Sequence, residues 1–166
     1  GSLSNVYTIA ERFNTTGAPV PFVEEQVKNG PARDDFSAPR VRAIAAPEDA
    51  LIYEKPVAIL TNAESYSATN YFAAAMQGLG NEREDIHLMG QPSGGGGGLP
   101  AYTELTNGWT LRVSTTRVSM LDPDAANRAD PNIEGGVVPD ELVTSPDAGL
   151  ASGVDAILDA ALAHLR

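Results

Sequence analysis

Ser67 is the residue of this sequence that is best placed to act as a nucleophile. The apolar run from Pro56 to Leu60 predicts a short buried strand, which a polar turn follows. Apolar residues then recur at the spacing of a helix that begins beside Ser67. These residues are Ala68, Tyr71, Phe72, Ala75, Met76 and Leu79. Because free N–H groups and the helix dipole stabilise negative charge at a helix start, a serine alkoxide or an acyl oxyanion would be stabilised there.

Two other structures would explain the same local pattern. Serine is a preferred helix N-cap, so Ser67 could do no more than cap the helix. In an unrelated α/β domain, its hydroxyl would be buried and bonded only to N–H groups of its own helix. Ser65, two residues earlier on the turn, is the second candidate for the nucleophile.

A run of five glycines, Gly94 to Gly98, is the second unusual feature. A phosphate-binding P-loop would end in Gly-Lys-Ser/Thr, and a dinucleotide site would continue into a helix. Here no lysine is near, and the run leads through Leu99 and Pro100 into a predicted hairpin. Two interpretations stay open: Gly94, Gly95 and Gly96 approach an extended chain such as a peptide substrate, or the run is a flexible connector.

The remaining elements follow from periodicity and turn signals. A short amphipathic helix is predicted from Val6 to Phe13, and residues 18–49 read as a long irregular loop. A second strand is expected from Asp85 to Met89, and Asn107-Gly108 predicts a hairpin. The other segments are two hairpin arms at 102–105 and 109–120, an extended piece at 137–140, and a final helix capped by Ser152.

Composition limits the classes of function. The 166 residues carry a net charge of −11, which argues against nucleic acid or an anionic membrane as a partner. No apolar stretch approaches the ~18 residues of a membrane span, no signal peptide is visible, and the chain has no cysteine. We expect residues 1–2 to be a tag remnant and residues 3–166 to form one domain; the oligomeric state is not predicted.

No metal or cofactor is predicted. Asp122, Asp124 and Asp130 have the wrong spacing for an EF-hand calcium loop, and an acidic exposed loop is expected instead. His87 and His164 lack a partner pattern and are expected to be structural or solvated.

Four segments in order resemble the C-terminal processing (tail-specific) serine peptidases. The first two are the turn Ser67-Ala68-Thr69-Asn70 and Gly90-Gln91-Pro92-Ser93-Gly94-Gly95-Gly96-Gly97, similar to Gly-x-x-Thr-x-Gly-Lys-Gly. The other two are the hairpin turn Asn107-Gly108-Trp109 and the closing segment Ile133-Glu134-Gly135-Gly136-Val137-Val138-Pro139-Asp140. The resemblance spans roughly residues 57–143.

The resemblance implies an α/β core of the ClpP/crotonase-like superhelical type, with mixed strands, packing helices and a β-hairpin, of which this chain is the C-terminal part. It implies a serine peptidase that hydrolyses extended polypeptides through an acyl-enzyme on Ser67, with the N–H of Ala68 as an oxyanion donor and no cofactor. It also implies a periplasmic or cell-envelope location.

The sequence departs from the family at the general base. The family lysine would fall at Gly96, and the only lysines are Lys28 and Lys55. Tricorn-type relatives use a histidine and a glutamate instead; Glu134 resembles that glutamate, and a surface carboxylate is the alternative for it. The second oxyanion donor and a PDZ segment are not recognisable, so we expect an incomplete catalyst. A non-catalytic module that binds a peptide or a lipophilic ligand on the same fold is the alternative function.

Overall fold

The computed structural model describes residues 1–48, 51–121, 131–144, 149 and 151–166. These residues form a mixed α/β fold with sheets and packing helices, as predicted. The elements, in chain order, are α1 Leu3–Ala10, a 3₁₀ turn Glu11–Phe13, β1 Val20–Val27, β2 Arg40–Ile44, β3 Val57–Thr61, α2 Ala68–Gly80, β4 Ile86–Gly90, β5 Pro100–Glu104, β6 Thr110–Ser114, β7 Thr116–Met120, a 3₁₀ turn Ile133–Gly135, β8 Glu141–Leu142 and α3 Ala156–His164.

A parallel sheet in the order β3-β4-β8 carries the predicted strand and turn before Ser67. In its register Val57 pairs with Ile86 and Thr61 with Gly90, so β3 and β4 end side by side. The loops that follow them therefore begin at one edge of the sheet. These loops contain Ser67 and the glycine run, and the sheet brings them together although 26 positions of sequence separate Ser67 from Ser93.

Helix α2 lies between this sheet and the rest of the fold, because it packs on α1, β1 and β4. The predicted apolar stripe is confirmed, since Tyr71, Met76 and Leu79 are buried. The Phe22 ring of β1 meets Tyr71 edge to face, with centroids 5.8 Å apart. Each such side chain, when fully buried, contributes about 1.5–3 kcal/mol of hydrophobic stabilisation, and together they hold α2 against its neighbours.

The interval 18–49 is not an irregular loop throughout, because it contains β1 and β2. These strands form an antiparallel sheet with β7, in the order β2-β1-β7. The prediction was wrong because Pro21 and a cluster of charged residues hide the strand pattern of β1, where Val20, Phe22 and Val23 are buried and a register shift lies beside Pro21. Glu25 is buried and forms an ion pair with Arg42 of β2 at 2.9 Å. This partner is available to Glu25 only when β1 and β2 pair.

The hairpin predicted around Asn107-Gly108 is present as β5 and β6, with Pro100 opposite Ser114. Its second arm ends earlier than expected, because residues 116–120 form β7 and pair with β1. Both hairpin strands are exposed along their whole length. Trp109 is 71% exposed, so it does not pack against the hairpin sheet.

The final helix begins later than predicted. Asp155, and not Ser152, caps α3, because its carboxylate accepts hydrogen bonds from the N–H groups of Ile157 and Leu158 at 3.1 and 3.0 Å. The hydroxyl of Ser152 instead donates to the carbonyl of Gly149. The candidate calcium residues 122, 124 and 130 lie outside the described residues. Among the described helices, none is long and apolar enough to cross a bilayer.

Candidate active site

The backbone of Ser67 is bent into a conformation that serine rarely adopts. Its φ is 62° and its ψ is −119°, and among the described residues it is the one non-glycine residue with positive φ. Such a conformation costs about 1–3 kcal/mol and persists only where surrounding contacts enforce it. Here the Ser67 N–H donates to the carbonyl of Gly95 at 2.9 Å, and the Tyr71 N–H bonds to the Ser67 carbonyl at 2.9 Å.

The hydroxyl of Ser67 does not cap the helix. Ser67 occupies the N-cap position of α2, and its side chain makes no capping hydrogen bond. The residue is half-buried and lines a cavity of about 150 Å³. Both alternatives, a plain N-cap and a buried serine bonded only to its own helix, therefore disagree with the geometry.

The N–H of Ala68, the first residue of α2, is free to donate a hydrogen bond to a negatively charged oxygen. No acceptor for it is recorded among the described residues, and Ala68 lines the same cavity as Ser67. Tyr71, one turn further on, also lines this cavity. Burial raises the pKa of the Tyr71 hydroxyl above its ordinary value, so this tyrosine stays protonated and offers no base to Ser67.

Ser65 has a structural position in the turn. It is 8% exposed, and its hydroxyl oxygen accepts a hydrogen bond from the Asn62 N–H at 3.2 Å. The Ser65 N–H donates to the Asn62 carbonyl at 2.9 Å. These contacts close the turn between β3 and α2, and of the two serines only Ser67 lines the cavity.

The glycine run packs closely against this turn and is not a free connector. The Gly94 N–H donates to the Ser65 carbonyl at 3.1 Å. A Cβ on Gly95 would lie 2.1 Å from the Glu134 carbonyl oxygen, so only glycine fits between these two segments. The extended chain that the glycines approach includes the protein's own backbone, and their contact with a substrate stays a prediction.

Glu134 holds the second half of the glycine run. Its Oε2 atom accepts hydrogen bonds from the N–H groups of Gly97 at 2.8 Å and Gly98 at 3.2 Å. Glu134 does not line the cavity of Ser67, and among the described residues no hydrogen bond joins their side chains. The geometry therefore assigns Glu134 a role in loop structure, and its catalytic role stays a prediction.

A lysine at the position of Gly96 would not fit this arrangement. Gly96 has φ +80°, and a Cβ there would lie 2.7 Å from the Tyr66 ring. The two lysines of the sequence, Lys28 and Lys55, do not line the cavity of Ser67.

The histidines lie elsewhere. The His87 ring is 4.5 Å from the ring of His164, and its Nδ1 is 3.9 Å from the Asp140 carboxylate. Neither histidine lines the cavity of Ser67. Within the described ranges, no group of three His, Cys, Asp or Glu side chains could hold a metal ion.

Comparison with known proteins identifies the family. A model of peptidase family S41 matches residues 1–143. The chain belongs to peptidase family S41. No curated protein matches it.

Several solved structures share this fold. A putative peptidase from Parabacteroides merdae is 33% identical with a TM-score of 0.80, and the match covers 99% of this chain and 48% of that one. Mature CPAF complexed with lactacystin matches with 14% identity and a TM-score of 0.63, over 85% of this chain and 37% of that one. The photosystem II D1 C-terminal processing protease matches with 16% identity and a TM-score of 0.54, over 86% and 31%. The chain thus spans about half of the first protein's length and less of the others, and the two distant likenesses show the fold alone.

Two features of this S41 chain were not singled out from the sequence. Buried Asn70 and Ser93 form a hydrogen-bonded pair at 2.6 Å between α2 and the loop after β4. Both lie inside motif segments that carried the family resemblance, and that was the signal that could have found them. Arg112 of β6 lines the cavity of Ser67, and no sequence signal marks it.

Proposed function

We propose that the protein of this chain is a serine peptidase that hydrolyses peptide bonds of extended polypeptides through an acyl-enzyme on Ser67. Family S41 membership supports a peptidase-type function. The observation that carries the finer proposal is the Ser67 turn: a strained backbone presents an uncapped hydroxyl to a cavity, beside the free N–H of Ala68.

The proposed reaction follows from this geometry. The Ser67 oxygen attacks the peptide carbonyl carbon while its proton passes to a general base, and the resulting oxyanion is stabilised by the Ala68 N–H and the start of α2. Collapse of the intermediate expels the amine, which takes a proton, and leaves an acyl-enzyme that water hydrolyses. Because no described lysine or histidine lines the cavity, the proposal assigns the base to a residue outside those described.

We also propose that this chain is part of a longer protein. The test is labelling by a fluorophosphonate serine probe, applied to this chain and to that longer protein. We expect the longer protein to be labelled and to cleave peptides, and this chain alone to be slow or inactive. Ser67→Ala should reduce labelling to background, whereas Ser65→Ala should keep it. Labelling that survives Ser67→Ala and disappears in Ser65→Ala would transfer the nucleophile to Ser65. Peptide cleavage by this chain at an ordinary enzymatic rate would contradict its incompleteness.

A binding module is the second candidate, and one observation favours it. An apolar cavity of about 340 Å³ lies between α1 and α2, lined by Val6, Ile9 and Phe72, and borders Ala68. A peptide or lipophilic ligand would fit such a cavity without any catalysis. A folded longer protein that binds a ligand but shows neither labelling nor cleavage would favour this function.

The proposed location is the periplasm or the cell envelope, as the family resemblance implies. A polypeptide is the proposed partner. Cell fractionation of the native organism, followed by immunodetection, tests the location; recovery in the cytosolic fraction would contradict it.

A further inference from the structure

The hairpin of β5 and β6 has one apolar face and one polar face. Because side chains alternate along a strand, residues that pair across the hairpin lie on the same face. Thr103 pairs with Leu111. The Leu105 N–H bonds to the Trp109 carbonyl, which continues the pairing to the turn. The apolar hairpin face therefore consists of Ala101, Thr103, Leu105, Trp109, Leu111 and Val113.

The opposite face of the hairpin is polar and borders the cavity of Ser67. It carries Glu104, Thr110 and Arg112, and the Arg112 guanidinium lies 5.8 Å from the centre of the Tyr102 ring on the same face. Arg112 also lines the cavity of Ser67. The apolar hairpin face therefore points away from that cavity and is not part of the candidate active site.

No described element covers the apolar hairpin face. Its four large side chains, Leu105, Trp109, Leu111 and Val113, are between 40 and 71% exposed. Among the described elements, β5 and β6 form a sheet of two strands and pack substantially only on each other. Single exposed apolar side chains are ordinary on a protein surface, whereas an apolar face opposite a polar one is typical of a sheet that packs on a core. An isolated hairpin is only marginally stable in water, so a covering segment would stabilise this one.

A second copy of this chain is a poor match for the face. The face measures about 17 by 10 Å, because strands rise about 3.4 Å per residue and lie about 4.8 Å apart. A stable complex of two separate proteins buries about 800 Å² on each partner, which is well above this area. Two copies would also bring together two net charges of −11. A segment of the same polypeptide is held nearby by the chain itself, so a small face is sufficient to dock it.

A longer protein would contain enough chain for such a segment. The match to the Parabacteroides merdae peptidase leaves about half of that protein's length unmatched. We propose that a segment of the longer protein, outside residues 1–166, packs its own apolar side chains on the apolar hairpin face. This inference rests on the proposed longer protein and not on catalysis by Ser67. Because the other face of the hairpin lines the cavity of Ser67, the same segment would hold one wall of that cavity in place.

The experiment uses one thiol on each face of the hairpin. The sequence has no cysteine, and each strand carries a threonine on a different face. Thr103→Cys places a thiol at the centre of the apolar hairpin face, and Thr110→Cys places the matched control on the polar face. Both positions are exposed in this structure. Each variant is made in this chain and in the longer protein, and alkylation of that residue by N-ethylmaleimide is followed by peptide mass spectrometry.

We expect both thiols to react as exposed groups in this chain alone. In the longer protein the Thr103→Cys thiol should react at least about tenfold more slowly, because a covered side chain reacts only when the covering segment opens. The Thr110→Cys thiol should keep the rate that it has in this chain.

A second measurement needs no substitution and so does not depend on the folding of a variant. Trp109 and Tyr102 are exposed aromatic rings on opposite faces of the hairpin, at 71 and 65%. Hydroxyl-radical footprinting compares their oxidation in this chain and in the longer protein. Oxidation of Trp109 should fall in the longer protein, and that of Tyr102 should not.

Three outcomes overturn the inference. The thiols and rings of both faces could react in the longer protein as fast as in this chain, or both faces could become equally protected. Protection of the Thr103→Cys thiol that appears in this chain alone and grows with its concentration would assign the face to a second copy. Probe labelling of Ser67 is an independent result: it can succeed while the face stays reactive, and it can fail while the face is covered.

Discussion

Ser67 combines an unfavourable backbone conformation with a hydroxyl that makes no capping hydrogen bond. Its φ of 62° would suit glycine, yet the residue is serine, and its side chain does not cap α2. Neither fact would be expected of a residue retained for stability. At the scale of one residue, the structure therefore stores strain where the proposed chemistry takes place.

Two variants at this position separate strain from chemistry. Both Ser67→Gly and Ser67→Ala remove the hydroxyl, but only glycine adopts positive φ without steric cost. We expect the free energy of unfolding of Ser67→Gly to exceed that of Ser67→Ala by about 1 kcal/mol, after the entropic cost of glycine in the unfolded chain is included. Urea denaturation of the two variants measures the difference. An alanine variant as stable as the glycine variant would argue against strain at Ser67.

At the scale of elements, a buried hydrogen-bond network joins the segments that carry the candidate site. The Asn70 side chain of α2 donates to the Ile133 carbonyl at 2.8 Å and accepts from the Ser93 hydroxyl at 2.6 Å. The same hydroxyl accepts from the Val137 N–H at 2.7 Å. Since Ser93 directly precedes the glycine run and Ile133 directly precedes Glu134, the network sets the relative positions of all three segments.

Removal of the Ser93 hydroxyl should be costly. Ser93→Ala leaves the side-chain oxygen Oδ1 of Asn70 and the Val137 N–H without their buried partner, and each loss costs about 1–3 kcal/mol. We expect a loss of about 2–4 kcal/mol in the free energy of unfolding, measured by urea denaturation, with a smaller loss for Ser93→Thr, which keeps the hydroxyl.

Ser152→Ala is the control for loss of an exposed serine hydroxyl, and we expect it to change stability by less than about 0.5 kcal/mol. Equal stability of Ser93→Ala and the parent protein would show that water replaces the hydroxyl and that the network does not hold the segments.

At the scale of the whole molecule, Arg83 connects parts of the chain that are far apart in sequence. Its nearly buried guanidinium donates to the carbonyl oxygens of Phe13, Tyr53 and Lys55 at 3.0, 2.8 and 3.2 Å. It also forms a bidentate ion pair with the Asp85 carboxylate, with hydrogen bonds of 2.9 and 2.7 Å. One side chain thus holds the end of the first helical segment, the approach to β3 and the start of β4 together.

This pair predicts a pH dependence of stability. The hydrogen bonds from Arg83 lower the pKa of Asp85 below its ordinary value of 3.8. Because the folded pKa is the lower one, the stabilisation is present above pH 3.8 and is lost as the pH falls through the folded pKa. Asp85→Asn should therefore be less stable than the parent protein at pH 7, and the gap should close at pH 2–3.

Urea midpoints at several pH values measure this gap, which will be small because the Asp85 side chain is 37% exposed. Glu82→Gln removes an exposed carboxylate from the same turn and serves as the control. A gap between Asp85→Asn and the parent that stays constant from pH 7 to pH 2 would contradict the assignment.

The local sequence pattern was sufficient to predict the strand and the helix next to the candidate nucleophile. Strand β3, helix α2 and the hairpin turn were predicted because apolar periodicity and Asn-Gly chemistry act over a few neighbouring residues. The order of four motif segments predicted the family, which the match over residues 1–143 confirms. The sequence thus determined where the candidate site lies along the chain.

Only the tertiary structure decided how that site is built. A hydrogen bond to Gly95 holds the backbone of Ser67, and hydrogen bonds to Glu134 hold the glycine run. Ser93 is bonded to Val137, which is 44 positions away. Arg112 reaches the cavity because the hairpin returns to the α2 start, and β1 is a strand because it pairs with β2 and β7. These features depend on contacts between segments that are distant in sequence. Such contacts form only when the chain folds, so no local propensity encodes them.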